Sequence, residues 1–499
     1  MINKILIANR GEIAVRIIRS CHEMGIETVA IYSDVDRTSP HVLKATEAYC
    51  VGPAPSSDSY LNVEKVLDII NKSGADAVHP GYGFLSENSQ FAETITKMGV
   101  KWIGPPTNAI NTMGDKMAAR ELALSVGAPI VPGTNEPIAN TDKAINVANK
   151  IGYPILIKAA GGGGGKGMRI VHSADEIENS ISRAKSEADK AFSDDRIFIE
   201  KYVEEPHHIE IQVFADEYGN VISLGERECS VQRRYQKIIE ETPSPFVTNE
   251  LRTKLNKTAV DITKACGYIG AGTVEFLVDK NRKFYFLEMN TRLQVEHPIT
   301  EMVNNIDLVQ EQIRVANGEK LSLTQSEVNP KGHAIECRIY AEDGFNNFAP
   351  SIGKIHEMDI PQGLGVRLDE GVRAGQEISL YYDPLLGKLV TWGSDRNIAI
   401  QKMLRALNEF HIIGIETTIP FCKSFIEHAT FEKGKYTTNT LGEIKEELHK
   451  NIMRYTGDRN VAASVGAIRR TVIETTNTTN QRTDIVSSWV QKGRRDGLR

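Results

Sequence analysis

The segment Glu288-Met289-Asn290-Thr291-Arg292-Leu293-Gln294-Val295-Glu296-His297 concentrates more chemistry than any other stretch of the chain. It places carboxylates, amides and a guanidinium among apolar residues. In extended backbone, side chains alternate between faces. Glu288, Asn290, Arg292, Gln294 and Glu296 then share one face, and Met289, Leu293, Val295 and His297 the other. A solvated strand has no need of that selection. An active-site wall has: metal ligands at one end, an anion clamp and a base at the other.

Upstream, Gly272–Asp279 and Phe284–Glu288 are two β-rich runs around the polar turn Lys280-Asn281-Arg282-Lys283, the pattern of a hairpin. With Asn281-Arg282 as a two-residue loop, Lys280 pairs with Lys283 and Glu275 falls opposite Glu288. A three-residue loop shifts the pairing by one. Like charges directly opposite are unfavourable. A divalent cation removes the penalty, and Mg²⁺ is commonly held by one or two carboxylates plus substrate phosphates.

Phosphate chemistry has its own candidates. Gly161 to Gly165, followed by Lys166 and Gly167, lie between an apolar run ending at Lys158 and the β-like Met168–Val171. Such glycines let backbone N–H groups approach phosphate oxygens. Ala160 and Gly167 rule out a Walker A loop, and the position between strands favours a phosphate-covering hairpin over a linker. Lys116 and Lys158 are candidate phosphate lysines. Glu200-Lys201-Tyr202-Val203 ends another apolar run, where backbone groups suit an adenine. In His207–Val213, the residues His208, Glu210 and Gln212 face one way and Ile209, Ile211 and Val213 the other, which also fits an ordinary half-buried strand. Glu226 to Lys237 is dense in charge, either a solvated loop or an anion-binding wall.

These groups need a scaffold. At 499 residues the length suggests about three domains. A net charge of −6 provides no general attraction to nucleic acid or anionic membrane. Six scattered cysteines without a CxxC point to reduced thiols in a cytoplasmic protein. No apolar run reaches membrane-spanning length. Lys4–Ala8 already reads as a strand, leaving no room for a targeting peptide.

Ile13, Ile17, Cys21 and Met24 at helical spacing, then Thr28–Tyr32, complete a βαβ opening. Ala77–His79 and Lys101–Ile103 are further strands. Between them a helix begins at Ser86 as its cap and carries Phe91, Ile95 and Met98 on one face. Residues 1–114 therefore read as a parallel α/β domain. Its first turn has only Gly11, which disfavours a dinucleotide fold. A second block covers 115–330, with a glycine-rich lid at about 131–203. A third covers 331–445. The last, 446–499, is polar, with ten basic and six acidic residues, a helix-like piece around Val461–Ile473 and a loose end.

Taken together, the chain resembles the biotin carboxylase component of biotin-dependent carboxylases, an ATP-grasp family. The likeness rests on Ile7–Ala14, His79–Asn88, Lys158 with the glycines, Glu226–Lys237 and Glu288–Pro298, collinear over residues 1 to about 445. It implies an α/β and α+β architecture: a Rossmann-like pre-ATP-grasp domain, an ATP-grasp domain with a mobile glycine-rich lid, and a C-terminal mixed domain. It further implies that Lys116, Lys158, Gly163, Gly164, Gly165, Glu200, Lys201, Val203, His208, Gln232, Glu275 and Glu288 bind ATP. Glu275, Glu288 and Asn290 would hold Mg²⁺ or Mn²⁺. Lys237, Arg292, Gln294 and the Val295 backbone would hold bicarbonate, with Glu296 as general base. Arg338, with Tyr82 and Gly83, would meet biotin. Tyr235 departs from the histidine common in the family, so altered nucleotide contacts are expected there.

The implied chemistry is coherent. Glu296 deprotonates bicarbonate for attack on the ATP γ-phosphate, carboxyphosphate breaks to CO₂ and phosphate, and Arg338 stabilises the ureido oxygen of biotin as N1 is deprotonated. No Ala-Met-Lys-Met carrier signature occurs in the chain. The expected partners are therefore a separate biotin carboxyl carrier protein and a carboxyltransferase subunit, with a homodimer as the family expectation and the 446–499 extension as a partner contact. The final acceptor, whether acetyl-CoA, propionyl-CoA, pyruvate or another, is not encoded here. Rival readings are another ATP-grasp carboxylate-amine ligase, a non-enzymatic ATP-binding regulator, and a nicotinamide oxidoreductase.

Overall fold

The computed structural model describes residues 1–134, 136–138, 140–159, 168–192, 195–344 and 346–450. Met1–Lys445 form one compact unit; of the second, Glu446–Arg499, the described residues 446–450 are helical. The sequence reading of Val461–Ile473 falls outside the described residues.

The opening is a parallel α/β layer. Strands β1 (Lys4–Ile7), β2 (Glu27–Ser33), β3 (Glu47–Gly52), β4 (Ala77–His79) and β5 (Lys101–Trp102) form a sheet in the order β3-β2-β1-β4-β5. Helix Gly11–Glu23 buries Ile13, Ile17 and Cys21, as its spacing predicts. The later helix differs from expectation. It runs Ser89–Lys97, and Asn88 rather than Ser86 caps it, accepting from the Phe91 amide at 2.9 Å. Ser86 is buried in the preceding turn instead. The loop from Pro80 to Glu87 is thereby held above the end of β4, close to the later site.

A small antiparallel sheet follows, ordered β7-β6-β8, from β6 (Ile155–Ala159), β7 (Arg169–Val171) and β8 (Ile197–Lys201). Ile157 pairs with Arg169, so the ends flanking residues 160–167 form the expected hairpin. The candidate phosphate glycines Gly163, Gly164 and Gly165 lie outside the described residues. Ile155, Ile157, Val171, Ile177, Ile197 and Ile199 supply this module's own core.

The main sheet has eight strands, all antiparallel. It contains β9 (His207–Ala215), β10 (Val221–Arg233), β11 (Gln236–Thr242), β12 (Gly270–Val278), β13 (Phe284–Asn290) and β14 (His333–Tyr340). Its order is β13-β12-β9-β10-β11-β14, then strands Leu385–Gly393 and Val366–Glu370. Every residue of β9 is buried, because β12 and β10 flank it and helices cover one face. The alternation in β9 is therefore not that of a half-solvated strand: on its polar face His208 lines the site cavity, and Glu210 and Gln212 are buried against Arg227.

The hairpin takes the three-residue alternative, with a bulge that restores the register. The loop is three residues long, closed by Asp279 N–H to Lys283 O at 2.9 Å, with Arg282 at φ +62°. That moves the pairing by one, so Phe276 faces Phe286. A bulge between Phe276 and Glu275 then moves it back, and Glu275 stands opposite Glu288 as expected.

Candidate active site

A cavity of about 680 Å³ lies between the small sheet and the main one. Its lining collects Lys116, Lys158, Glu200, Lys201, Val203, His208, Gln232, Lys237, Glu275, Glu288, Asn290, Arg292, Gln294, Val295, Glu296 and Arg338. The strand carrying Glu288 ends at Asn290, short of the extended run expected through Glu296. Bends and turns carry the chain onward to a helix that starts at His297. The predicted alternation holds only in part: Met289, Leu293 and His297 are buried away from the cavity lining, whereas Val295, expected beside them, lines the cavity.

One end of the cavity is apolar. Val131, Leu156, Met168, Phe198, Leu277 and Leu287 line it, an apolar slot suited to an aromatic base. The Glu200–Val203 segment borders the slot. Glu200 accepts from Arg120 at 2.6 Å and pairs with Lys158. The Lys201 ammonium is committed to the Gly152 and Tyr153 carbonyls at 3.1 and 2.7 Å, which leaves its backbone for recognition. Lys116 opens helix Lys116–Ser125 behind the Asp115 cap. Burial at the wall lowers its ammonium below the usual lysine range, against the pull of Glu288.

The middle is acidic. Glu275 is held by His208 at 2.8 Å, Asn290 at 2.9 Å, Gln294 at 3.0 Å and Lys237 at 3.0 Å. Burial opposes ionisation of Glu275, but Lys237 and His208 overcome it and hold the carboxyl well below the usual range. Burial raises the carboxyl of Glu288, and the charge of Glu275 raises it further. The two acids therefore oppose each other's ionisation, a conflict that a cation between them would relieve. The donors facing that point are carboxylate and amide oxygens, the set a hard divalent cation prefers, so the residues fit Mg²⁺ or Mn²⁺.

The far end is a network of buried ion pairs. Lys237 Nζ donates to Glu296 at 2.6 Å, Glu210 at 2.5 Å and Gln294 at 3.2 Å. Arg338 donates to Glu296 at 2.8 Å and to Glu240 at 2.6 Å. Burial works against a charged Glu296; Lys237 and Arg338 hold it well below the usual carboxylate range. Glu240, buried and next to Glu296, is pushed up to about 7 despite Arg338. Arg292 pairs with Glu87 at 2.9 Å and donates to Asn290 at 3.0 Å. An anion binding here exchanges contacts with cations already fixed in place, which is preorganisation.

Tyr82 and Gly83 are not among the lining residues. They lie on the Pro80–Glu87 loop, where the Tyr82 carbonyl accepts from Asn9 at 2.7 Å. Tyr235 lines the cavity and is 59% exposed, at φ +68° in the turn between β10 and β11.

Sequence reading missed the groups behind these side chains. Arg227 is wholly buried, pairs with Glu210, and donates to Gln212 at 2.7 Å and Thr300 at 2.9 Å. Glu240, Glu87 and Arg120 were equally silent. Glu210 had one available signal, since it sits on the polar face of a strand whose other face is apolar; Arg227 had only its place in the charge-dense run Glu226–Lys237. Of the two readings of Glu226–Lys237, the solvated loop fails, since β10 is buried nearly throughout.

Comparison with known proteins agrees with this geometry. Residues 1–110 match the family model of the biotin carboxylase N-terminal domain, and 336–443 that of the C-terminal domain. Residues 115–324 match the ATP-binding domain of the carbamoyl-phosphate synthase L chain. Biotin carboxylase 1 of Bacillus subtilis is 53% identical over 88% of this chain and 98% of its own. Biotin carboxylase of Haemophilus influenzae is 50% identical over 87% of this chain and 97% of its own. Among solved structures, a biotin carboxylase–β,γ-ATP complex from Campylobacter jejuni superposes with a TM-score of 0.86 at 47% identity, over 89% of this chain and 99% of that one. The biotin carboxylase domain dimer of Hydrogenobacter thermophilus 2-oxoglutarate carboxylase, with MgADP, ADP and bicarbonate, also gives 0.86 at 45% identity, over 90% and 99%. With its sheets, its cavity and these matches in agreement, the chain belongs to the biotin carboxylase family.

Proposed function

We propose that the chain carboxylates biotin on a separate carrier protein, using ATP and bicarbonate, as the first half-reaction of a biotin-dependent carboxylase. The observation that carries this reading is the placement of Glu296 between Lys237 and Arg338, at the end of a cavity whose other end suits an adenine.

Residues 115–330 act as the ATP-grasp module between the 1–114 and 331–445 domains, with 131–203 as its lid. The apolar slot and the Glu200–Val203 backbone take the base. Lys116, Lys158, His208 and Gln232 face the phosphates, and Gly163–Gly165 belong to the lid. Glu275, Glu288 and Asn290 would hold magnesium or manganese, which when bound neutralises phosphate charge.

Lys237, Arg292, Gln294 and the Val295 backbone orient bicarbonate. Its charge beside Glu296 raises that carboxylate's affinity for a proton, which suits Glu296 to accept the bicarbonate hydrogen. The freed oxygen attacks the γ-phosphorus in line and ADP leaves. Carboxyphosphate divides into CO₂ and phosphate. Phosphate takes the N1 proton of biotin, and N1 bonds to CO₂. Arg338 faces the ureido oxygen as charge builds there, with Tyr82 and Gly83 beside the ring. Closure of the lid keeps water from the labile intermediate.

The carrier and a carboxyltransferase are expected as separate chains, and a second copy of this chain as a dimer partner. Bicarbonate-dependent ADP release, with and without free biotin, tests the reading. Release that ignores bicarbonate sinks it.

A further inference from the structure

None of the steps proposed above uses Lys388, although burying an ammonium is costly unless it is paired. Lys388 is fully buried on strand Leu385–Gly393, with Arg338 opposite on β14 and Asp369 opposite on strand Val366–Glu370. Its ammonium donates to the Val295 carbonyl at 3.0 Å and pairs with Glu12 at 3.0 Å; Asp369 is more distant, at 3.8 Å. The Tyr82 ring centroid is 5.9 Å away.

These contacts meet two substrate segments at one point. Val295 and its carbonyl belong to the turn that presents Glu296. Glu12 follows the Asn9-Arg10-Gly11 turn, and Asn9 donates to the carbonyls of Pro80 and Tyr82, both at 2.7 Å. A Cβ at Gly371 would stand 2.3 Å from the Glu12 amide nitrogen, so the C-terminal sheet presses directly on this turn. The Tyr82 loop and the Val295–Glu296 turn therefore both meet one buried cation.

We propose that Lys388 is a positioning residue that registers the Val295–Glu296 turn against the Tyr82 loop, so that CO₂ released from carboxyphosphate meets biotin N1 before it escapes. The inference rests on the roles proposed above for Val295, Glu296 and Tyr82. A misplacement of about 1 Å at a reacting centre suffices for large losses. The expected signature is uncoupling: ATP is still split, but fewer carboxyl groups reach biotin.

The test counts ADP released per carboxybiotin formed, for the full chain with free biotin, in Lys388→Met. The ratio should rise about threefold or more, with the KM for biotin raised and ADP affinity within about twofold of the parent. A general loss of structure lowers turnover and nucleotide affinity together and leaves the ratio alone. Should Lys388→Met fail to fold, Glu12→Gln decides: it keeps the shape, removes the anion, and frees Lys388 to turn toward Asp369. An unchanged ratio in the folded variant overturns the proposal. A parent enzyme without bicarbonate-dependent ADP release would instead overturn the functional reading.

Discussion

Replacing Glu296 by Gln removes one negative charge and the proton acceptor while keeping the shape. Two cations lose a partner, but neither is left alone. Lys237 keeps Glu210 at 2.5 Å and Glu275 at 3.0 Å, and Arg338 keeps Glu240 at 2.6 Å. Breaking a buried pair outright costs about 3–5 kcal/mol. With every cation still matched, and an amide oxygen still able to accept from one of them, stability should fall by less than about 2 kcal/mol. Catalysis should suffer far more. A positioned general base contributes about 10²–10⁴-fold, or about 3–5 kcal/mol of barrier. Glu296 is at the opposite end from the apolar slot, so ADP affinity should stay within about twofold. Steady-state ADP release with saturating bicarbonate and biotin, beside an ADP titration and a thermal melt, separates these effects. A loss of turnover below about tenfold refutes Glu296 as the base. So does a loss matched by an equal fall in ADP affinity.

Arg338→Met should raise the KM for biotin and lower carboxybiotin formation about 10²-fold or more, while bicarbonate-dependent ADP release without biotin falls much less; equal losses in both assays would contradict its place at the ureido oxygen. Chelation should abolish ADP release and Mg²⁺ restore it, and Glu288→Gln should raise the Mg²⁺ needed for half-maximal rate about tenfold; an unchanged requirement removes Glu288 from the ligand set. Glu241, buried and held by His333 at 2.5 Å and by Arg396 at 2.7 Å, is lowered to about 2 although burial opposes it. Its folded pKa lies below its unfolded one, so its contribution is present above pH 4.5 and lost as pH falls toward 2. That fall from 4.5 is worth about 3 kcal/mol. Glu241→Gln should therefore flatten the acid limb of a stability curve measured by denaturant melts; an unchanged limb would assign acid lability elsewhere.

Elements whose signals are local were legible in the sequence. The βαβ opening, the hairpins around the glycine run and around Lys280–Lys283, and the alternation of Glu288 to Asn290 depend on neighbours a few residues apart. The Glu275–Glu288 pairing stands although the loop is the three-residue alternative, because the bulge after Glu275 cancels the longer loop. Ser86 was a credible cap, but burial took it and Asn88 served. What stayed hidden depends on long-range packing. Lys388 and Glu12 are far apart in sequence and meet only because strand Leu385–Gly393 lies against the first turn. Arg227, in a run that fitted either a solvated loop or an anion-binding wall, and Glu240 gain their roles only once β10 and β11 are seen inside an eight-stranded sheet.

The central claim is that this pocket joins bicarbonate to the γ-phosphate of ATP. Supplying bicarbonate labelled with heavy oxygen, and weighing the inorganic phosphate released during biotin carboxylation, tests it directly. One bicarbonate oxygen should appear in each phosphate, since that oxygen is the nucleophile. Phosphate released without the label, while biotin is still carboxylated, would contradict the account.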